Sequence, residues 1–107
     1  MNVAVLIIVL IAVVALLLLA AAIRIIAAAA VDAIVQRGAF RLVLAGGRTP
    51  EAAYRLLAQQ AGDWARWECY FGDERCLPAD HVERNSQMAE RVLLSQVPLD
   101  KRKVHPI

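Results

Sequence analysis

The chain has 107 residues, enough for one small domain, and 60 % of them are apolar, above the usual globular share of about 45–50 %. A formal charge of +2, with basic and acidic residues interleaved instead of gathered in a stripe, gives nucleic-acid binding no support. Cys69 and Cys76 lack a C-x-x-C spacing, which suggests neither a metal site nor a secreted scaffold, so both read as reduced cytosolic thiols.

The apolar excess is concentrated at the start. Through residue 35 the only charged side chains are Arg24 and Asp32, whereas Arg37 to Ile107 has an ordinary soluble composition. This divides the chain into a highly apolar segment, residues 1–37, and a second unit, residues 38–107. Val3 to Ile23 is a run of 21 residues without a polar side chain, and about 20 such residues are what a helix needs to cross a bilayer. Arg24, Arg37 and Arg41 follow the run, so a span would leave the C-terminal part in the cytoplasm. A cleaved signal peptide fits less well, because no Lys or Arg precedes the run and the run is long. The other reading is a buried strand, Val3 to Val9, followed by a buried helix, Ala12 to Gln36, stopped at Gly38. Length favours the span and the soluble remainder favours the buried core. Against the second, a helix packed on a sheet keeps a polar stripe, and none is visible before Arg24.

Beyond Gly38 the elements are punctuated. Phe40 to Ala45 reads as a strand ended by Gly46-Gly47, with Thr49 as the expected N-cap and Pro50 in the first turn of a helix. Ala53, Tyr54, Leu56 and Leu57 give that helix its buried face, and Gly62 is expected to close it. Trp67 to Phe71 is a second strand running into Gly72-Asp73-Glu74-Arg75. After a loop from Pro78 to Arg84, Asn85 is expected to cap a helix reaching about Leu94, and Val104 to Ile107 starts a third strand. Strand-helix-strand-helix-strand with short connections predicts an α/β fold, an open parallel sheet with helices on both faces. Ligands sit at the C-terminal ends of strands in such sheets, where the loops 46–50 and 72–75 both fall.

Gly46 and Gly47, between strand and helix, let backbone N–H groups approach an anion at the positive end of the helix dipole, and Arg48 and the Thr49 hydroxyl add donors. A phosphate ester suits this cradle, although Gly-Gly before a helix is also ordinary turn chemistry. The pattern is neither the Walker nor the dinucleotide glycine motif, which disfavours ATP and NAD. Asp73, Glu74 and Arg75 can hold a hydroxylated anion, Arg75 by a bidentate contact; the plainer reading is a solvated turn with a weak ion pair. His81 lies in a polar loop and His105 in the last strand, and no Ser/His/Asp or Cys/His constellation is visible. Trp64, Trp67 and Tyr70 are spaced for an aromatic core at the second strand, not for base stacking.

The stretch Phe40-Arg41-Leu42-Val43-Leu44-Ala45-Gly46-Gly47-Arg48-Thr49-Pro50-Glu51, followed by Tyr54, resembles the Gly-Gly-Ser-Thr-Pro region of 6-phosphogluconolactonases, with Arg48 where Ser is frequent. Phe71 to Arg75, Pro78, Asn85-Ser86, Met88 and Val97-Pro98 are also similar in type and order, so the resemblance covers Phe40 to Ile107. It implies a Rossmann-like sheet of the sugar-phosphate isomerase and deaminase superfamily, cut after about its third or fourth strand. The implied reaction is hydrolysis of 6-phosphogluconolactone to 6-phosphogluconate, in the cytoplasm, without metal or organic cofactor, the partner being a small sugar phosphate. By position, Gly46, Gly47 and Thr49 would cradle the phosphate beside Arg48, and Asp73 and Arg75 would line the sugar pocket. The family's water-activating histidine lies in a later Gly-x-Asp-Gly-His segment that is not found here, so the implied activity is that of an inactive fragment. The family also has a strand and an amphipathic, charged helix where this chain has its apolar run, so a truncated or altered gene product, an uncertain sequence over 3–23, or a membrane anchor are all consistent with the residues. Alternatives to the lactonase are a non-catalytic anchored or sugar-phosphate-binding remnant, a half-domain whose last strand is an open edge awaiting a partner chain, and an amino-sugar-phosphate deaminase or isomerase, against which Arg75 argues.

Overall fold

The structure, a computed structural model, describes residues 2–107. Its first element is a single helix α1, Val3–Arg37, capped by Asn2, whose Oδ1 accepts from the Ala4 N–H at 2.7 Å. It stops at Gly38 as expected, because that glycine takes φ 78° and returns its N–H to the Ile34 carbonyl at 2.8 Å. The strand expected at Val3 to Val9 does not form. β-Branching costs a helix only a few tenths of a kcal/mol per residue, and a helix satisfies its own backbone, whereas a strand needs a neighbour. Burial fails too: every residue from Asn2 to Leu18 is exposed. A core-facing stripe begins only at Ile23 and continues through Ile26, Ala30, Ala33 and Ile34, at helical spacing.

Three strands follow: β1, Phe40–Leu44; β2, Trp67–Phe71; and β3, Val104–His105. They lie in the order β1-β2-β3, all parallel, with Phe40 opposite Trp67, Leu44 opposite Phe71 and Cys69 opposite Val104. Between the strands come α2, Arg48–Leu57, and α3, Asn85–Ala89, which runs on into a π-helical turn, Glu90–Leu94. Single 3₁₀ turns lead into β2 and β3. The parallel α/β sheet is the expected one; of the two faces expected to carry helices, the described residues cover one. Both crossovers advance in the same direction along the sheet, so right-handed connections put α2 and α3 on the same side.

That side carries Phe40, Leu42, Leu44, Trp67, Cys69 and Phe71, the inward alternation of β1 and β2. With Leu57, Trp64, Val92, Leu93 and Leu94 they form one core, in which Leu44 is 1 % and Cys69 0 % exposed. Trp64 and Trp67 pack at 4.3 Å with their rings tilted by 40°, and Phe40 meets Trp67 edge-on at 4.8 Å, the aromatic core the spacing predicts. Burial pushes the Cys69 thiol up to about 11, while Cys76 is exposed; both are free. Tyr70 turns to the other face, where it stacks on His105 at 4.6 Å. There Glu68 accepts from Tyr70 Oη at 3.0 Å and pairs with His105 at 2.8 Å and Arg41 at 3.3 Å, and these contacts, His105 foremost, lower its pKa.

Candidate functional site

β1 runs out at Leu44, and the turn that follows is locked before it reaches the helix. Tyr54 Oη accepts from the Ala45 N–H at 2.7 Å and donates to the Ala45 carbonyl at 3.0 Å, tying the end of the strand to α2. Gly46 then passes against Asn85: a Cβ at position 46 would overlap the Asn85 carboxamide, so only glycine fits. Gly47 adopts φ 106°, ψ 173°, a region essentially reserved for glycine, and is itself the N-cap of α2. The helix therefore starts at Arg48, not at Pro50, and Thr49 lies inside its first turn instead of capping it. A glycine free to take that backbone lets the helix begin earlier than the Thr-Pro pair suggests. The far end is also shorter than expected: α2 ends at Leu57 and tightens through i→i+3 bonds from Gln59 and Gln60, well before Gly62.

The turn after β2 is held by Glu74. Its carboxylate keeps only 5 % of its surface exposed and lies 3.3 Å from Arg84 Nε. That nitrogen is near enough for an ion pair but out of line for a hydrogen bond, and Arg84 spends its other nitrogens on the carbonyls of Leu77, at 3.3 Å, and Ile107, at 2.9 Å. Glu74 accepts from the N–H groups of Arg75 at 2.8 Å, of Ser86 at 2.9 Å, and of Asn85. Burial alone would raise its pKa, but the bonds from Arg75, Ser86 and Asn85 win and hold it at about 2. The first N–H groups of α3 are thus capped by a carboxylate from another loop. Asn85, expected as the cap, is instead the first helical residue, 5 % exposed. Its Nδ2 donates to the Asp73 carbonyl at 3.3 Å and carboxylate at 3.2 Å. Glu74 is therefore a buried anchor, whereas Gly72, Asp73 and Arg75 beside it are exposed, as the plainer reading of a solvated turn expects.

Between the start of α2 and the face of α3 lies a cavity of about 520 Å³, lined among others by Gly47, Arg48, Glu51, Arg75, Asn85, Met88 and Arg91. Of the sequence-predicted residues, Gly47, Arg48 and Arg75 line it. Gly46 borders it through Asn85, Asp73 is turned to Asn85, and Thr49 is not among the lining residues. Sequence reasoning missed Glu51, Met88 and Arg91 and the structural work of Glu74 and Asn85. The spacing of Asn85, Met88 and Arg91, three residues apart on one helix face, was the available signal. Three guanidinium groups against the carboxylates of Glu51 and Glu83, with free N–H groups at the helix start, supply binding chemistry for an oxygen-rich anion. His81 is outside this lining, its Nδ1 accepting from the Glu83 N–H at 3.1 Å.

A parallel sheet with a cavity at the C-terminal ends of two adjacent strands, beside a glycine-capped helix start, defines a Rossmann-like α/β domain. The particular family follows from comparison with known proteins. The family described as glucosamine-6-phosphate isomerases/6-phosphogluconolactonase matches residues 15–107, and the chain belongs to it. Curated relatives include a 6-phosphogluconolactonase of Synechocystis sp., 39 % identical over 75 residues, and one of Streptomyces coelicolor, 43 % identical over 79. These alignments cover 70 % of this chain but 31 % and 30 % of the relatives, so the chain spans just under a third of their length. Among solved structures, a 6-phosphogluconolactonase from Thermotoga maritima superposes with TM-score 0.74 at 29 % identity, over 83 % of this chain and 41 % of that one. One from Shewanella baltica gives 0.76 at 27 %, over 86 % and 39 %.

Proposed function

We propose that this chain forms the sugar-phosphate-binding part of a 6-phosphogluconolactonase, the enzyme that hydrolyses 6-phosphogluconolactone to 6-phosphogluconate. The observation that carries this reading is the joint construction of the cavity. The loop after β1 and the loop after β2 are interlocked through Asn85, and both present arginine to one space. The phosphate takes the N–H groups at the start of α2 with Arg48, a charge-assisted contact at a helix N-terminus. Arg75 and Arg91 face the rest of the ligand, and Asn85 keeps Gly46 at the spacing the cradle needs. Hydrolysis adds water across the lactone carbonyl and opens the ring C–O bond, and the resemblance puts the histidine that activates this water in a Gly-x-Asp-Gly-His segment outside these residues. Free thiols and interleaved charge fit work in the cytoplasm.

Backbone amide resonances of the full chain, titrated with 6-phosphogluconate to millimolar concentration, test the cradle. Gly47 and Arg48 shift, and Arg48→Ala weakens the response about tenfold, as loss of one charge-assisted bond implies. Unmoved resonances from Gly46 to Thr49 would refute the reading. A parallel titration with glucosamine 6-phosphate separates the lactonase from the deaminase or isomerase branch of the family, against which Arg75 stands: the tighter ligand decides.

A further inference from the structure

We propose that the N-terminal part of α1, Val3–Ala22, spans a lipid bilayer and holds the α/β body at its cytoplasmic face. No side chain from Val3 to Leu18 reaches the core, and Leu10 and Leu17 are each 60 % exposed. The most apolar 18-residue window of the helix has a mean hydropathy of 3.6 and none of it is buried. So much bare apolar surface marks an interaction site, and its distribution identifies the occupant. A helix that docks on a protein, or on a second copy of itself, shows one apolar stripe and keeps the rest of its circumference polar. Val3 to Ala22 is apolar on every side. A helix apolar all round is covered by the core of a large protein or by hydrocarbon, and no residue from Asn2 to Leu18 is covered by this body.

Length and charge agree with that occupant. Twenty residues at about 1.5 Å each give about 30 Å, the thickness of the hydrocarbon core of a bilayer. The apolar cylinder ends where the core-facing stripe begins, at Ile23, and the next residue, Arg24, is exposed at the level where lipid headgroups would lie. Arg37 and Arg41 follow on the same side, which places the body and its cavity in the cytoplasm, next to an anionic leaflet. The inference uses α1 alone and stands independently of what the cavity binds.

Expression of the full chain in bacteria, with membrane flotation and alkaline carbonate extraction, tests the span. The exposed thiol of Cys76 reports sidedness through a membrane-impermeant maleimide, because Cys69 is buried. The expected result is a chain that floats with the membranes, resists carbonate, and is labelled at Cys76 only after spheroplasts are lysed. Replacing Leu10 and Leu17 together by arginine, at positions that touch nothing in the body, abolishes carbonate resistance. A wild-type chain that stays soluble without detergent, as a monomer or as a dimer joined through α1, would overturn the proposal. So would a product from which the helix has been cleaved, a pellet that does not float, or labelling of Cys76 in intact spheroplasts.

Discussion

Val3 to Leu18 and Phe40 to Leu99 are opposite solutions to being apolar. The first stretch has no charged or polar side chain and buries nothing; the second is interrupted by arginine and glutamate throughout and holds most of the core. What separates them is periodicity as well as hydrophobicity. Alternation in β1 and β2 puts one row of side chains inward, and the i, i+3 and i+4 pattern does the same for α2 and for α1 beyond Ile23. A uniformly apolar helix offers no face that a sheet can choose, so it stays outside. In the second region even charge is part of the interior, since Glu74 and Arg84 are paired where two loops and a helix meet.

The contrast breaks most severely at Glu74. Glu74→Ala leaves Arg84 and the first N–H groups of α3 without their partner and is expected to cost about 3–5 kcal/mol, read as a lowered urea midpoint by fluorescence of Trp64 and Trp67. Acid tests the same anchor more gently. With its pKa at about 2 in the fold against 4.5 for an ordinary glutamate, Glu74 contributes stability that is fully present above about pH 4.5 and drains away as the pH falls toward 2, by up to about 3 kcal/mol. Asp100, lowered to about 2 by its bonds with Arg102, titrates in the same window. The control is therefore Glu74→Gln, whose urea midpoint should fall less steeply with acid. At Gly47, alanine must enter a backbone region it strongly disfavours, at about 1–3 kcal/mol, and amide shifts on adding 6-phosphogluconate should vanish with it. The smallest effect belongs to the first region: Leu10→Ala should leave the urea midpoint within about 0.5 kcal/mol of wild type. A larger loss would mean that α1 supports the body after all.

β1 and β2 were readable because alternation, bounded by glycine, points only to strands, and the helix stop at Gly38 because a left-handed cap favours that residue. The loops 46–50 and 72–75 were readable as a pair because parallel topology brings strand ends together. The caps were misread for one physical reason. Thr49 and Asn85 are good capping residues in isolation, but Gly47 reached the necessary backbone first and Glu74, remote in sequence, supplied the acceptor for α3. Local chemistry ranks candidates for a helix end; tertiary contacts decide among them. Arg91 and Met88 escaped because a cavity wall on a helix has the same spacing as any helix face.

Asn85 also sets how the cavity comes apart. Its side chain fills the space beside Gly46, and its own N–H hangs on Glu74, so the start of α3 is a wedge between two loops that are also joined at their bases by the Gly72 N–H to the Leu44 carbonyl at 3.0 Å. A transient lifting of that one turn would dismantle the cavity while leaving the Leu44, Leu57 and Leu93 packing intact, a local opening well below the cost of global unfolding. Any molecule that fits only the wedged state then acts as a clamp, slowing hydrogen exchange at Asn85 and Ser86 in proportion to its occupancy. Amides that never touch the ligand would report that it is there.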